Sequence, residues 1–459
     1  MFKVRSYMLD ISRDKVPTMD TLRLIVDILA KFDYNQFQLY TEHTFAYSAH
    51  GEIWKNASPV TPSEIRELDA YCAMRGIELV PNQNSFGHME RWLVHPDYNH
   101  LAELPEGGAP LPWGGFKKFP TTLCPTNPES LEFLAGLYDE LLPNFGSDLF
   151  NIGCDETFDL LGKKGRSSAE VAKYGEGRVY LEFLKKVVSL ARDRGKKAMF
   201  WGDVILKHSE LVKELPRDAI ALDWGYEGNH PFEKEARQFA ESGFEFYVCP
   251  GTSSWNSLSG RVENMRQNLQ EAERAGRMYG AKGYMVTDWG DFGHWQPLAA
   301  SLPGIILGGN FALNGPKAAK MDLEDSLNAV MGVPLGGTLL RLGTLYLRGG
   351  ALRVNSTELF QILSNDRGYS RNPRLTDSIL AEISSIAEGC RHEASKWTGG
   401  YKQNIWAMEI AHMANLVDAA CNRRDEKRLR FLRAEHDRIW MLRNRPGGCA
   451  DSLAKLPRF

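Results

Sequence analysis

Asp155 and Glu156 stand side by side at the end of LFNIGCDE, residues 149–156. The apolar residues Phe150, Ile152 and Cys154 alternate, which predicts a strand driven into a core, with the two acids at its tip. Adjacent carboxylates repel, so a dry site favours keeping one of them neutral. A neutral carboxylic acid near pH 7 is what protonates a glycosidic oxygen. Other polar and aromatic residues recur just after strand-like runs: Asp10 and Arg13, Glu42 and His43, Asn84 and His88, Trp201 and Asp203. Trp224, Tyr226 and Glu227, then Trp255, then Trp289 and Asp291 continue the series. Carboxylates with several indoles and few histidines describe a pocket for a neutral polyol. Sugar hydroxyls want bidentate acceptors, and the apolar face of a pyranose packs on an indole.

Rival chemistries find less support. Metal-assisted hydrolysis needs clustered ligands, and His43 and His88 have no His-x-His or Glu-x-x-His companion. Phosphate binding would want a glycine-rich loop near the last strands, and Gly308-Gly309 sits in a helical segment. Cys154 has no histidine near it in sequence and reads as a small buried thiol. Neither a metal nor a cofactor is expected.

The elements that must position these residues alternate regularly. Strands are expected at 3–11, 35–41, 77–83, 149–154, 197–203, 219–225, 244–250 and 283–289. Amphipathic helical segments lie between them at 18–32, 62–75, 128–142, 177–194, 232–242 and 261–278. Gly76, Gly195, Gly243 and Gly283 stand just before strands, where a helix C-cap takes a left-handed residue. Eight β-α repeats permit an open doubly wound sheet or a closed (β/α)8 barrel. No Gly-x-Gly-x-x-Gly follows the first strand, and the polar residues crowd many strand ends instead of one switch point. The expected fold is therefore an α/β (β/α)8 TIM barrel over residues 1–316, followed by an all-helical domain over 317–459. Its helices are expected at segments such as 402–421 and 424–443, and the 84–127 connection reads as a lid or partner surface.

The chain has 459 residues, with 43% apolar, 11% aromatic and 25% charged, as globular chains do. Lys plus Arg total 55 against 58 Asp plus Glu, so no basic excess holds nucleic acid or a membrane surface. No apolar stretch approaches the roughly 18–20 residues that span a bilayer. The amino terminus MFKVRSYMLDIS lacks the pattern of a secretory signal, and the 7 cysteines are odd in number and widely spaced. A cytoplasmic location with reduced thiols is expected.

With these residues in view, the chain resembles glycoside hydrolase family 20, the β-N-acetylhexosaminidases, and looks closest to their hexosaminidase D-like branch. The likeness rests on RSYMLDISR over 5–13, NSFGHME over 84–90, NIGCDE over 151–156, Trp201, and Trp289-Gly-Asp291. These fall in the family's order on strands 1, 3, 4, 5 and 8. Asn84, Phe86, Glu42 and Asp291 depart from the family's usual residues, and the small sheet domain that often precedes the barrel is not expected within these residues.

The resemblance implies an exo-acting enzyme that removes terminal β-linked GlcNAc or GalNAc by retaining, substrate-assisted catalysis through an oxazolinium-like intermediate. Glu156 would be the general acid and base, and Asp155 would orient the 2-acetamido group, with Tyr226 steadying its oxygen. Trp201, Trp224, Trp255 and Trp289 would wall the sugar pocket, with Glu42 beside it. Arg5 and Asp291 would hold outer hydroxyls, while His88 would brace a catalytic acid. The alternatives are a retaining glycosidase for a non-acetamido sugar, or a catalytically silent carbohydrate-binding barrel. The expected partner is an oligosaccharide or glycoconjugate. Trp440, Arg443, Arg445 and Pro446-Gly447-Gly448 are candidates for a homodimer contact, against simple helix packing.

Overall fold

A computed structural model describes residues 1–13, 15–112, 114–161, 164–364, 371–397, 401–422 and 425–457. Trp113 of the long connection and residue 424, the expected start of a late helix, lie outside them. Eight parallel strands form the centre: β1 Val4–Asp10, β2 Gln36–Tyr40, β3 Glu78–Val80, β4 Leu149–Asn151, β5 Lys197–Trp201, β6 Ile220–Trp224, β7 Phe246–Cys249 and β8 Gly283–Asp288. Their order is β3-β2-β1-β8-β7-β6-β5-β4. A parallel bridge between Asn82 and Asn151 joins the two ends, with the Gln83 N–H donating to Asn151 O at 3.0 Å. The sheet is thus closed into a barrel. Strand residues point alternately in and out. Met8, Met199, Trp201, Ile220, Leu222, Tyr247 and Met285 fill the interior as a packed core, while Tyr7, Leu9, Phe37 and Leu39 face the helical layer.

Helices α1 Met19–Lys31, α2 Pro62–Ala73, α3 Pro128–Leu141, α4 Glu176–Arg192, α5 Phe232–Glu241, α6 Val262–Tyr279 and α7 Leu302–Asn314 surround the strands. The fifth repeat differs from the regular pattern. Between β5 and β6 the chain makes only a short helix, Asp203–Leu206, and a 3-10 segment, Ser209–Glu214, before Pro216 holds Leu215 extended. Gly76, Gly195 and Gly243 take the left-handed conformation at φ of 67°, 74° and 67°, as capping requires. Gly283 does not. Gly280 caps α6 at φ 73°, and Gly283 opens β8 where a Cβ would lie 2.5 Å from the Tyr247 ring.

The expected boundary at 316/317 falls in the 3-10 segment Gly315–Lys320. Beyond it the chain is mainly helical, with α8 Asp377–Ser395, α9 Tyr401–Cys421, α10 Glu426–Arg443 and α11 Cys449–Lys455. An antiparallel pair, Leu352–Arg353 with Ser356–Thr357, also forms there, which the strand-free reading of this region misses. The helical region shares one continuous apolar core with the barrel's outer layer. The Thr18 N–H donates to Arg443 O at 2.9 Å, and buried Arg443 pairs with Glu409. Arg445 reaches Glu64 at 2.8 Å, Gly447 packs against Ala57, and Trp440 is buried. The residues considered for a dimer contact are therefore committed to packing within the chain. A cavity of about 40 Å³ at this junction, lined by Lys15, Asp288, Glu409 and Arg443, has room for about one water. Among the described residues no single helix is long and apolar enough to cross a membrane, and the seven cysteines are unpaired.

Candidate active site

The C-terminal ends of the strands open into one cleft of about 1280 Å³. That exceeds the roughly 300–1000 Å³ of a typical small-ligand pocket, so a sugar fits with part of whatever it is attached to. Glu156, Asp155, Tyr226, Glu42, His88, Trp201, Trp224, Trp255, Trp289 and Asp291 all line it. Arg5 does not. It sits near the start of β1, roughly 16 Å of strand below Asp10, and its guanidinium donates to Asp33 O and Phe2 O at the barrel's base. Arg13, which follows the strand end instead of beginning the strand, lines the cleft in its place, with Arg91 and Arg353 further round it.

Backbone strain concentrates around the acids. Cys154 and Glu156 have φ of 69° and 48°, left-handed for side chains that resist it, and His88 and Asp291, which adopt it more readily, have 58° and 43°. Such strain persists only where the surroundings over-determine it. Gly87 is one such surrounding: a Cβ there would lie 2.0 Å from Asp155 O, so only glycine lets the β3 loop pass this close. That approach delivers His88. Its Nε2 lies 3.1 Å from Asp155 Oδ2 and 3.2 Å from Glu156 Oε2. Asp155 is nearly enclosed, with 7% of its side chain exposed, while Glu156 keeps 27% open to the cleft.

Two contacts compete for the His88 proton. Arg13 Nη2 stands 3.1 Å from Nδ1 and can only donate, which favours a bare Nδ1. Burial also disfavours the imidazolium, but the Asp155 charge and the bonds to Asp155 and Glu156 outweigh it and hold His88 up at about 10. In either protonation state Nε2 carries a proton and donates it between the two acids. Asp10 supports this arrangement from below: its carboxylate accepts the backbone N–H groups of Ser12 (2.8 Å), Arg13 (3.1 Å) and Gly290 (2.9 Å). Arg13 in turn reaches Glu42 Oε1 at 3.1 Å and lies over the Tyr40 and Trp289 rings at 4.7 and 5.3 Å. Tyr40 donates to Glu42 at 2.9 Å. Burial, opposed by Arg13, pushes Asp291 up to about 6, and Asn256 donates to it at 3.0 Å.

The aromatic wall faces this charged side. Trp289 Nε1 donates to Tyr226 Oη at 2.8 Å, and the Trp289 ring lies 5.8 Å from Trp201. Tyr226 stacks on Trp224 at 5.2 Å and meets Trp255 edge-on at 5.0 Å. Trp255 Nε1 donates 2.8 Å to Asn355, which lies in the turn of the small antiparallel pair in the helical region. Glu227 anchors that turn by accepting the Asn355 N–H at 2.7 Å while pairing with Arg261 at 3.0 Å. No local signal marks Asn355, since its partner is 100 residues away. Exposed Phe292, Leu352 and Val354 form an apolar rim at the mouth. Cys154 is fully buried, and burial pushes its thiol well up, so it is no nucleophile. Burial also keeps His43 neutral, lowered to about 3.

Residues 2–302 match the family described as glycosyl hydrolase family 20, catalytic domain. Hexosaminidase D of Bos taurus is 24% identical over 332 residues, covering 65% of this chain and 90% of that protein. Hexosaminidase D of Homo sapiens is 24% identical over 326 residues, and the chain spans 63% of its length. A beta-hexosaminidase of Akkermansia muciniphila is 26% identical over 220 residues, covering 43% of this chain and 44% of that one. The crystal structure of a Flavobacterium johnsoniae chitobiase shares the fold with a TM-score of 0.59 at 17% identity, over 99% of this chain and 78% of that chain.

Proposed function

Since the chain belongs to glycosyl hydrolase family 20, we propose that it is an exo-acting β-N-acetylhexosaminidase, releasing terminal β-linked GlcNAc or GalNAc with retention by substrate-assisted catalysis. The observation that carries this reading is His88 Nε2, set 3.1 Å from Asp155 and 3.2 Å from Glu156 opposite an aromatic wall. Glu156, the more open of the two acids, gives its proton to the glycosidic oxygen as the bond to C1 breaks. The substrate's own acetamido oxygen attacks C1, and the positive charge spreads over the oxazolinium ring. Asp155 accepts the acetamido N–H and stabilises that charge. Tyr226 already accepts the Trp289 N–H, so its own proton remains for the acetamido oxygen. Glu156, now a carboxylate, takes a proton from the water that attacks C1 and reopens the ring.

Arg13 and Asp291 suit the outer hydroxyls, the first as donor and the second as acceptor. Trp201, Trp224, Trp255 and Trp289 suit the apolar sugar face. The rim of Phe292, Leu352 and Val354 favours an aglycone with an apolar face. A thiazoline analogue of the oxazolinium intermediate tests the reading directly. It is expected to inhibit competitively and to lose at least tenfold in affinity in Asp155→Ala. Failure to inhibit would favour a glycosidase for a sugar without the acetamido group.

A further inference from the structure

Asp223 lies on β6 between inward-facing Leu222 and Trp224, so its side chain leaves the barrel interior towards α5. It is fully buried, its oxygens accept no N–H or hydroxyl bond, and the Glu235 carboxyl is the polar group against it. A buried carboxylate left this way is costly and demands an ion, a proton or a water. His230 and Glu235 stand beside it, and one ligand atom from each of the three lies within 4.8 Å of the others. His230 Nε2 is 2.8 Å from Glu235 Oε2. That is a hydrogen-bond distance, close to the ~3.0 Å edge of an octahedron with ~2.1 Å bonds and shorter than the ~3.4 Å edge of a tetrahedron. A tetrahedral ion would spread the pair slightly.

The local backbone holds the imidazole in place. The His230 N–H donates to Glu227 O at 3.0 Å, and the Glu235 N–H to Pro231 O at 3.2 Å in the first turn of α5. Gly225 leaves room for the ring: a Cβ there would lie 2.1 Å from His230 Cδ2. His230 and Glu235 keep 20% and 21% of their side chains exposed, which gives an ion and its waters a way in. A proton shared between Asp223 and Glu235 would also relieve the buried acid, with His230 bonded to Glu235 as it stands, whereas an ion would engage all three groups at once.

We propose that Asp223, His230 and Glu235 form a binding site for a divalent cation, with water completing its coordination. Two carboxylates and one imidazole suit Zn²⁺ or Mn²⁺ better than Ca²⁺, which prefers oxygen alone. The ion clamps the tip of β6 to the start of α5. Trp224 and Tyr226 flank that tip, so the clamp stiffens one wall of the cleft without touching the reacting atoms.

The test uses the full chain stripped with a chelator, titrated calorimetrically with ZnCl2 and with MnCl2, with bound metal counted after gel filtration. One zinc or manganese per chain is expected, together with a rise in Tm. His230→Ala and Glu235→Gln change partly exposed side chains, and each is expected to weaken binding by about tenfold or more. Absence of uptake would overturn the proposal in favour of the shared proton. Uptake unchanged in both variants would overturn it by placing the ion elsewhere.

Discussion

Asp203 lies beneath the catalytic pair, its Oδ2 3.5 Å from the Glu156 backbone nitrogen. Burial first, and then the Asp155 charge, push its carboxyl up to about 7. An unfolded aspartate ionises near 4. Between those values the folded state binds the proton more tightly, so the stability the neutral acid contributes is full below about pH 4 and is lost as pH rises through about 7. Asp203→Asn has no proton to lose. Its Tm relative to the parent is expected to improve from pH 5 to pH 8, by up to about 1.4 kcal/mol of stability per pH unit. Thermal denaturation at the two pH values checks this, and a pH-independent difference would refute it. Arg13 and Arg5 offer a second contrast. Arg13→Ala is expected to lower kcat/KM by ~10–100-fold through a lost charge-assisted contact, and Arg5→Ala to leave it within about twofold. At this scale the acid pair, the tryptophans and His88 were legible because each sits in a short local motif. The arginine was not: RSYMLDISR over 5–13 holds both candidates, and only the strand's rise per residue separates base from mouth.

The eight strands and six helical segments were readable from apolar periodicity and capping glycines, because both signals are local. The missing regular helix of the fifth repeat, and the hairpin that supplies Asn355, depend on packing between distant segments and left no such mark. That hairpin is the element through which the helical region enters the cleft. Asn355→Ala leaves the Trp255 indole N–H without its acceptor. A neutral hydrogen bond is worth ~1 kcal/mol, so KM is expected to rise about fivefold with little change in kcat. Steady-state kinetics would tell this from a loss of kcat, which would give the hairpin a part in the chemistry itself. Phe292→Ala at the rim is expected to weaken substrates with aromatic aglycones more than the free sugar product.

Residues 317–459 were expected to stand as a separate helical domain, and we propose 316/317 as the boundary in chain order. In packing the division is slight, since one apolar core runs across it and buried Arg443 and Glu409 bridge to the barrel through the Ala299 N–H. Calorimetry of the whole chain is therefore expected to give one cooperative transition. Two resolved transitions would mean that barrel and helices unfold independently. Arg445→Ala, which removes the junction's contacts to Glu64, Pro17 and Pro59, is expected to cost ~1–3 kcal/mol.

The central claim is that Asp155 and Glu156 drive substrate-assisted release of an N-acetylhexosamine. The most direct measurement is p-nitrophenol release from the β-GlcNAc and β-GalNAc glycosides by the parent chain, Glu156→Gln and Asp155→Ala. Turnover of at least one sugar is predicted, lost in Asp155→Ala even with this activated leaving group, because that residue serves the internal nucleophile. Glu156→Gln is predicted to lose ~10²–10⁴-fold on a poor leaving group and less on this one. Equal rates for the parent and Asp155→Ala, or a folded parent that releases neither sugar, would contradict the account.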